Sequence, residues 1–337
     1  MIELDSLVSL FSRPEIEEAA FQPEEVQLTD YFPSTKSPDL EESEVLVEDE
    51  GEVKVNGIKP TFPGDRTVLA IDSTGFPLGY VKDGLVIAVR ASVVVKPAGS
   101  MEHRLELYGP YMAAVTNTSK EAVYSALHAK VFGQKLGSSA PALPKMLDRV
   151  RNLVEKYIQL QVATAYDNAI LLLDGSLITR TVSSPTAYVE RLLEAAYTRG
   201  NNIAAISKST TLTLRSSRRS ILSLVEGVVG PTWTEDIRLL ISQEKERYKG
   251  RIYVTRLTPL GEPFRIDIPD DSPAPHPELM GMVSGLSGDY GYPEELKLAH
   301  STCVLSSLEI MELQAAATAI YGLEMKEDLR KKIFPFG

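Results

Sequence analysis

The spacing of apolar residues along the chain changes character several times. Residues 67–71 (TVLAI) form a short β-branched and apolar run that ends at Asp72. A longer run at 85–95 (LVIAVRASVVV) follows, with Tyr80 and Asp83-Gly84 ahead of it as turn material. A third strand is predicted over 103–115. Three strands joined by short turns predict an antiparallel meander. Over 143–166 the pattern becomes helical: Leu147, Val150, Val154, Ile158 and Val162 recur three and four residues apart. Residues 169–173 are a short apolar strand closed by Asp174, 185–198 are helical, and 202–206 form a strand leading into Ser207-Lys208. A late hairpin is predicted from 251–257 and 264–268, with Leu260-Gly261-Glu262 near its turn. Two helices, 294–307 and 308–321, complete the pattern. A meander followed by alternating helices and strands predicts an α/β fold, a mixed sheet with helices packed on it.

The first sixty residues have a different texture. Two short apolar-periodic pieces, 2–11 and 16–21, precede a stretch at 33–51 rich in proline and acidic residues. Residues 1–60 hold 16 Asp and Glu against 4 Lys and Arg, a net charge of −12, while the rest of the 337-residue chain is balanced at +1. The overall charge of −11 therefore belongs to an N-terminal arm. Such a composition favours a loosely ordered segment that either solubilises the protein or docks a partner or second subunit. Residues 61–337 are expected to form one elaborated α/β domain with a helical C-terminal part.

Charge within that domain is uneven too. Between residues 197 and 256 eleven basic residues, among them Arg215, Arg218 and Arg219, face only five acidic ones. Such a stretch can meet phosphates, and it can equally be an ordinary solvated surface. The single cysteine, Cys303, excludes an intrachain disulfide and a cysteine-cluster zinc site. It also makes a reducing, cytoplasmic compartment the expectation. No run of about 18 apolar residues occurs and the N-terminus lacks the features of a signal peptide, so no membrane association is expected.

Two aspartates share one local context. Asp72 closes the apolar run VLAI before Ser73-Thr74-Gly75, and Asp174 closes ILLL before Gly175-Ser176-Leu177. A carboxylate at a strand end lies at the rim of the sheet, and two such strands side by side would converge two carboxylates on one spot. A divalent cation with a preference for hard oxygen ligands, Mg²⁺ or Mn²⁺, relieves their repulsion. For either aspartate alone, a turn or helix cap is the plain alternative. Glu155 lies beside the apolar face of the preceding helix, where it could reach over the strand ends or simply sit on the surface next to Lys156. His300, among Leu296, Leu298 and Ala299, could be a metal ligand, a proton carrier or an interior histidine. Lys208, at the end of its strand, could place a cation on a phosphate. There is no GxxxxGK[ST] loop and no GxSxG elbow, which argues against P-loop and α/β-hydrolase chemistry. Cys303 reads as core.

Five blocks in order, AIDST (70–74), LLLDGSL (171–177), AISKST (205–210), RIYVTRLTPLGEPFRIDIP (251–269) and GYPEELKLAHST (291–302), make residues 65–323 resemble the NurA nucleases of archaea and some bacteria. The first block carries Asp-Ser-Thr where the family often has Asp-Gly-Ser. The resemblance implies a ribonuclease-H-like fold and Mn²⁺- or Mg²⁺-dependent DNA cleavage, with 5′→3′ exonuclease and single-strand endonuclease activity. It further implies a homodimer beside a HerA-type hexameric translocase, acting on single-stranded and duplex DNA ends in resection for homologous recombination. Carried over to this chain, it makes Asp72, Glu155 and Asp174 metal-binding residues and Lys208 and His300 the basic members of the site. Tyr292 would be part of the site wall and Arg215, Arg218 and Arg219 part of the DNA path. Two ions held by Asp72, Glu155 and Asp174, with His300 as ligand or proton donor, are the implied catalytic arrangement. A non-catalytic DNA-binding or translocase-regulating subunit on the same fold is the alternative, and nothing in the residues separates DNA from RNA substrates.

Overall fold

The computed structural model describes residues 45–48, 53–81, 83–133, 139–321 and 323. The apolar pieces at 2–11 and 16–21, and most of the acidic stretch at 33–51, lie outside the described residues. In chain order the elements are β1 (Val45–Val47), β2 (Val55–Gly57), β3 (Val68–Val81), β4 (Gly84–Lys96), β5 (Arg104–Thr116), α1 (Lys120–Phe132) and α2 (Leu143–Ala165). They continue with β6 (Ile170–Asp174), α3 (Thr186–Thr198), β7 (Asn202–Ser207), β8 (Leu212–Leu214), β9 (Thr232–Thr234), β10 (Arg251–Arg256) and β11 (Pro263–Ile268). Helices α4 (His276–Gly285), α5 (Glu294–Cys303) and α6 (Ser307–Tyr321) end the described chain.

Strands β3, β4 and β5 form the antiparallel meander that the apolar runs predict. The β3–β4 turn contains Asp83 in the left-handed region, at φ +60°. Gly84 follows because a Cβ there would stand 2.3 Å from the Val115 carbonyl oxygen. All thirteen residues of β4 are buried, since α2 packs on one side of the β3–β4 pair and α5 on the other. That double cover explains why this strand reads as a nearly continuous apolar run instead of an alternating one.

Beyond the meander the sheet becomes parallel. Its nine strands run β2-β9-β10-β11-β7-β6-β3-β4-β5, with β3, β6 and β7 parallel to one another and β11 and β10 returning antiparallel. This is the mixed α/β sheet with flanking helices expected from the sequence, an antiparallel meander followed by parallel strands. The late hairpin is β10–β11. Strand β2 extends the far edge through β9, and β1 pairs in parallel with β8 in a separate two-stranded sheet. Residues 45–47 and 55–57, read from composition as part of an arm, thus pair with the body of the domain. Hydrogen-bond partners in β8 and β9 override the acidic, proline-rich surroundings.

Three apolar clusters hold the layers. The largest lies between the meander and α1, α2, α3 and α6. A second packs the opposite face of the sheet under α4 and α5. A third gathers β1, β8, β10 and the short 3₁₀ turns at Ile221–Val225 and Ile237–Leu240. Helices α1 and α4 are not among the sequence expectations. In α4, Leu279, Met280, Met282 and Val283 are all buried, which hides the helical period. The stretch Glu294–Tyr321 has the mean hydropathy of a membrane span. It breaks after Cys303, with Val304 extended at ψ 133°, into helices of 10 and 15 residues. Each is shorter than the ~20 residues that cross a bilayer.

Candidate active site

Asp72 and Asp174 reach the same level on neighbouring strands. In the parallel β3–β6 pair Ile71 lies opposite Leu173, and one step further along both strands come the two aspartates. The sequence places Asp72 at a strand end, and here the structure corrects it. Strand β3 continues to Val81, with Asp72, Ser73 and Thr74 opposite Ser92, Ala91 and Arg90 of β4. The cause is a difference in partner length: β6 leaves β3 after Ile71, whereas the antiparallel β4 accompanies it throughout. Asp72 is therefore at the rim of the parallel half and in the middle of the antiparallel half. Ser73-Thr74-Gly75 is strand, not turn.

Each aspartate has distinct partners. Asp72 is buried; its Oδ1 accepts the backbone N–H of Ser73 at 2.7 Å, and its Oδ2 lies 2.7 Å from His300 Nδ1. The hydrogen bond to Asp72 raises the His300 pKa above the ordinary histidine value. Asp174 is more open and accepts the Lys208 ammonium at 2.9 Å through Oδ2. Lys208 also lies 4.7 Å from the Tyr292 ring centroid. Burial, with Asp174 and Asp72 nearby, pushes the Tyr292 phenol well above its usual range and keeps it protonated. Tyr292 packs on Phe264 at a ring-centroid distance of 5.3 Å; it stands beside Lys208 and does not line the cleft formed by the carboxylates.

Glu155 comes in from α2 as a buried carboxyl, not a surface one. Its Oε2 accepts the Ser73 hydroxyl at 2.5 Å and Arg151 Nη1 at 3.0 Å, and its Oε1 accepts the Gln159 amide at 3.2 Å. Burial raises its pKa to about 7; Arg151 opposes that rise and the charge of Asp72 adds to it. Arg151, Ser73 and Gln159 are partners that the sequence reading does not single out. The i, i+4 spacing of Arg151 and Glu155 on a helix was the available signal.

Asp72, Glu155, Asp174 and His300 line one cleft of about 350 Å³, together with Arg151, Asn152, Thr181 and Ser184. A larger hollow of about 750 Å³ lies between α3 and residues 238–250 and 269–273 and contains none of these carboxylates. Several of its charged wall residues are paired, Lys249 with Glu190 and Arg238 with Asp270. The smaller cleft is therefore the candidate site, on chemistry and not size. A ligand atom each from Asp72, His300 and Cys303 also lie within 4.8 Å of one another. Burial raises the Cys303 thiol pKa and keeps it protonated, and its Sγ donates to the His300 carbonyl at 3.2 Å. A neutral thiol is a poor partner for hard ions, which leaves the carboxylates and His300 as the candidate donors.

The basic residues at 215–219 are elsewhere. They occupy the turn after β8, where Arg215 pairs with Glu48 and Arg219 with Glu226, and none of Arg215, Arg218 and Arg219 lines the cleft. Much of the surrounding basic segment is likewise matched, with Arg199 on Asp167, Arg247 on Glu244 and Arg251 on Asp270.

A family profile described as the NurA domain matches residues 66–305. No curated protein matches the chain. Among solved structures, the NurA nuclease from Sulfolobus solfataricus aligns over 79% of this chain and 87% of its own at 15% identity, with a TM-score of 0.44. Endonuclease V from Streptomyces avermitilis covers 75% of this chain and 85% of its own at 12% identity and a TM-score of 0.35. A further structure titled as NurA covers 74% and 87%, at 12% identity and a TM-score of 0.37. These overlaps are too low to transfer residue roles.

Proposed function

The chain belongs to the NurA domain family, a family of nucleases, and from that premise we propose that it is a divalent-metal-dependent deoxyribonuclease. One observation carries this reading: Asp72 and Asp174 stand level on adjacent parallel strands, and Glu155 and His300 enter the same cleft. We assign the ligands as Asp72, Glu155 and Asp174 for two Mn²⁺ or Mg²⁺ ions, with His300 either joining them or protonating the leaving oxygen. The donor set fits such ions, because carboxylate oxygens and an imidazole are hard or borderline donors. The raised pKa of Glu155 comes first from its burial, with Arg151 and Lys156 opposing the rise and the charge of Asp72 adding to it.

Bound there, divalent ions supply an activated water and stabilise the charge on the phosphoryl and leaving oxygens. The chain's own groups bind and orient. The Lys208 ammonium, on the open side of Asp174, is placed to neutralise a phosphate of the scissile strand. Tyr292, kept protonated, packs beside Lys208, and Ser73 and Gln159 hold the Glu155 carboxylate in one orientation. We further propose 5′→3′ exonuclease and single-strand endonuclease activity on DNA ends. On this reading the protein is a cytoplasmic, nucleoid-associated homodimer that works with a HerA-type hexameric translocase in end resection. The acidic N-terminal segment ahead of β1 serves as the contact arm, with β1 and β2 belonging to the nuclease domain, and Arg215, Arg218 and Arg219 belong to the DNA path outside the cleft.

The test is cleavage of end-labelled single- and double-stranded DNA, and of RNA and hybrid controls, with Mn²⁺, Mg²⁺ or EDTA. Wild type is run beside Asp174→Ala. Metal-dependent cleavage lost in the variant supports the assignment. Absence of cleavage by the wild type, with a translocase added, moves the protein to the non-catalytic DNA-binding class.

A further inference from the structure

The block at 251–269 contains a charged pair that the proposed chemistry does not use. Arg265 and Asp267 lie two residues apart on β11, so both point to the same face of the sheet. Their side chains are 1% and 2% exposed. The pairing is bidentate, with Arg265 Nε on Asp267 Oδ1 and Nη2 on Oδ2, both at 2.8 Å. Withdrawing two ions from water costs several kcal/mol each, and apolar replacements of similar volume are often equally stable. Stability alone therefore gives no reason for an ion pair at this position.

The remaining hydrogen bonds of the pair suggest a different role. Asp267 Oδ2 also accepts the backbone N–H of Leu177 at 3.0 Å, three residues after Asp174. Arg265 Nη1 donates to Thr210 Oγ1 at 3.3 Å, two residues after Lys208. Arg265 also stands opposite Ser207 in the β7–β11 ladder. One buried pair thus grips both loops that leave the parallel strands at the site. The Asp174 loop is held from its other side as well, where Lys249 N–H donates to the Leu177 carbonyl at 2.9 Å and Thr179 N–H to the Arg247 carbonyl at 2.7 Å. Tyr248, between those two residues, has its ring centroid 5.3 Å from the Arg265 guanidinium.

We propose that the buried Arg265–Asp267 pair is a positioning element of the nuclease site, setting Asp174 against Lys208 by anchoring Leu177 and Thr210. The proposal rests on the nuclease reading for its kinetic consequence and on the geometry alone for its effect on metal binding. Neither residue touches substrate in this scheme. Each acts through the loop it holds, as partners behind metal ligands commonly do.

The test uses the full chain with the double substitution Arg265→Met/Asp267→Val, which stays close to the original volume and removes both loop anchors. Three measurements are compared with wild type: Tm, Mn²⁺ affinity by electron paramagnetic resonance, and kcat and KM on an end-labelled single-stranded oligonucleotide. The expected result is a Tm within about 5 °C of wild type, since the ion pair is replaceable by apolar groups. Mn²⁺ affinity and kcat each fall by about 10- to 100-fold, and KM changes far less. Asp267→Asn, which retains an acceptor for Leu177 N–H, recovers part of both losses. A folded double variant with wild-type kcat and Mn²⁺ affinity overturns the proposal. If the double variant does not fold, Thr210→Val decides. That substitution removes the hydroxyl that accepts Arg265 Nη1 and, within the same loop, Leu212 N–H; a lowered kcat at unchanged Tm supports the proposal and an unchanged kcat overturns it. If the wild type cleaves nothing, the nuclease reading fails, and the Mn²⁺ titration still reports on the loops.

Discussion

The parallel centre of the sheet and the basic segment at 210–250 handle charge in opposite ways. At the centre, apolar strands carry Asp72 and Asp174 to one level, and a buried Glu155 is added with Arg151 bonded to it and Lys156 nearby. Negative charge is concentrated there and incompletely offset. The basic segment is built of three-residue strands and 3₁₀ turns, and its arginines are spread over the surface onto Glu48, Glu226, Glu244 and Asp270. Exposed pairs of this kind contribute only ~0–1 kcal/mol each. The candidate site is thus distinguished by charge confined to one cleft, not by charge that is numerous along the chain.

The sharpest way to break this comparison is to remove a carboxylate from the centre. Asp72→Ala and Asp174→Ala are expected to lower metal-dependent cleavage by at least ~10³-fold with circular dichroism and Tm unchanged, because each removes a direct ligand of the proposed ions. Retained cleavage by a folded Asp72→Ala protein would falsify the carboxylate scheme.

Glu155 sharpens the contrast through pH. Its folded pKa of about 7 stands above the ordinary 4.5, so the folded state holds the proton more tightly than the unfolded chain. The stability this contributes is complete below about 4.5 and is lost as pH rises through about 7; ionised Glu155 then costs on the order of 3 kcal/mol. In metal-free protein at pH 8, Glu155→Gln is expected to raise Tm by several degrees while abolishing cleavage. Wild-type cleavage and Mn²⁺ affinity should rise with pH through about 7 as the carboxylate ionises. A flat profile between pH 6 and 8, or a destabilised Gln variant, would separate the pKa from the function.

Lys208→Ala tests the open side of the site. It is expected to lower kcat by about 10- to 100-fold while leaving the fold intact, since an exposed lysine paired with Asp174 adds little stability. A steady-state cleavage assay beside a thermal melt checks both halves of that statement.

The smallest effect belongs to the basic segment. Arg218→Ala/Arg219→Ala is expected to raise KM for DNA a few-fold, to lower the salt dependence of binding by about one to two charges, and to leave kcat and Tm unchanged. An unchanged salt slope would remove these arginines from the DNA path.

The meander, helix α2 and the β6–α3–β7 unit were all legible as periodicity, because each presents a long or strongly apolar face. Helix α4 was not, since buried residues at consecutive positions erase the period. Asp72 and Asp174 were found through a shared context, an acid closing an apolar run. The inference that Asp72 ended its strand was wrong, because pairing with β4 extends β3 to Val81. Arg151 was within reach of the helical spacing rule. Arg265 and Asp267 had a legible side-chain face but no legible partners, since Leu177 and Thr210 lie 90 and 55 residues away.

By itself the sequence determined the local order of the chain: which segments become strands and helices, and which acids close apolar runs. These follow from side-chain periodicity and backbone preference, which act between near neighbours. Only the tertiary structure decided that β3 and β6 are adjacent, that Glu155 is buried against Ser73, and that the arginines of the basic segment are mostly neutralised. Each depends on groups far apart in the chain, and a carboxylate's charge state is set by how much water and which partners the assembled fold leaves around it.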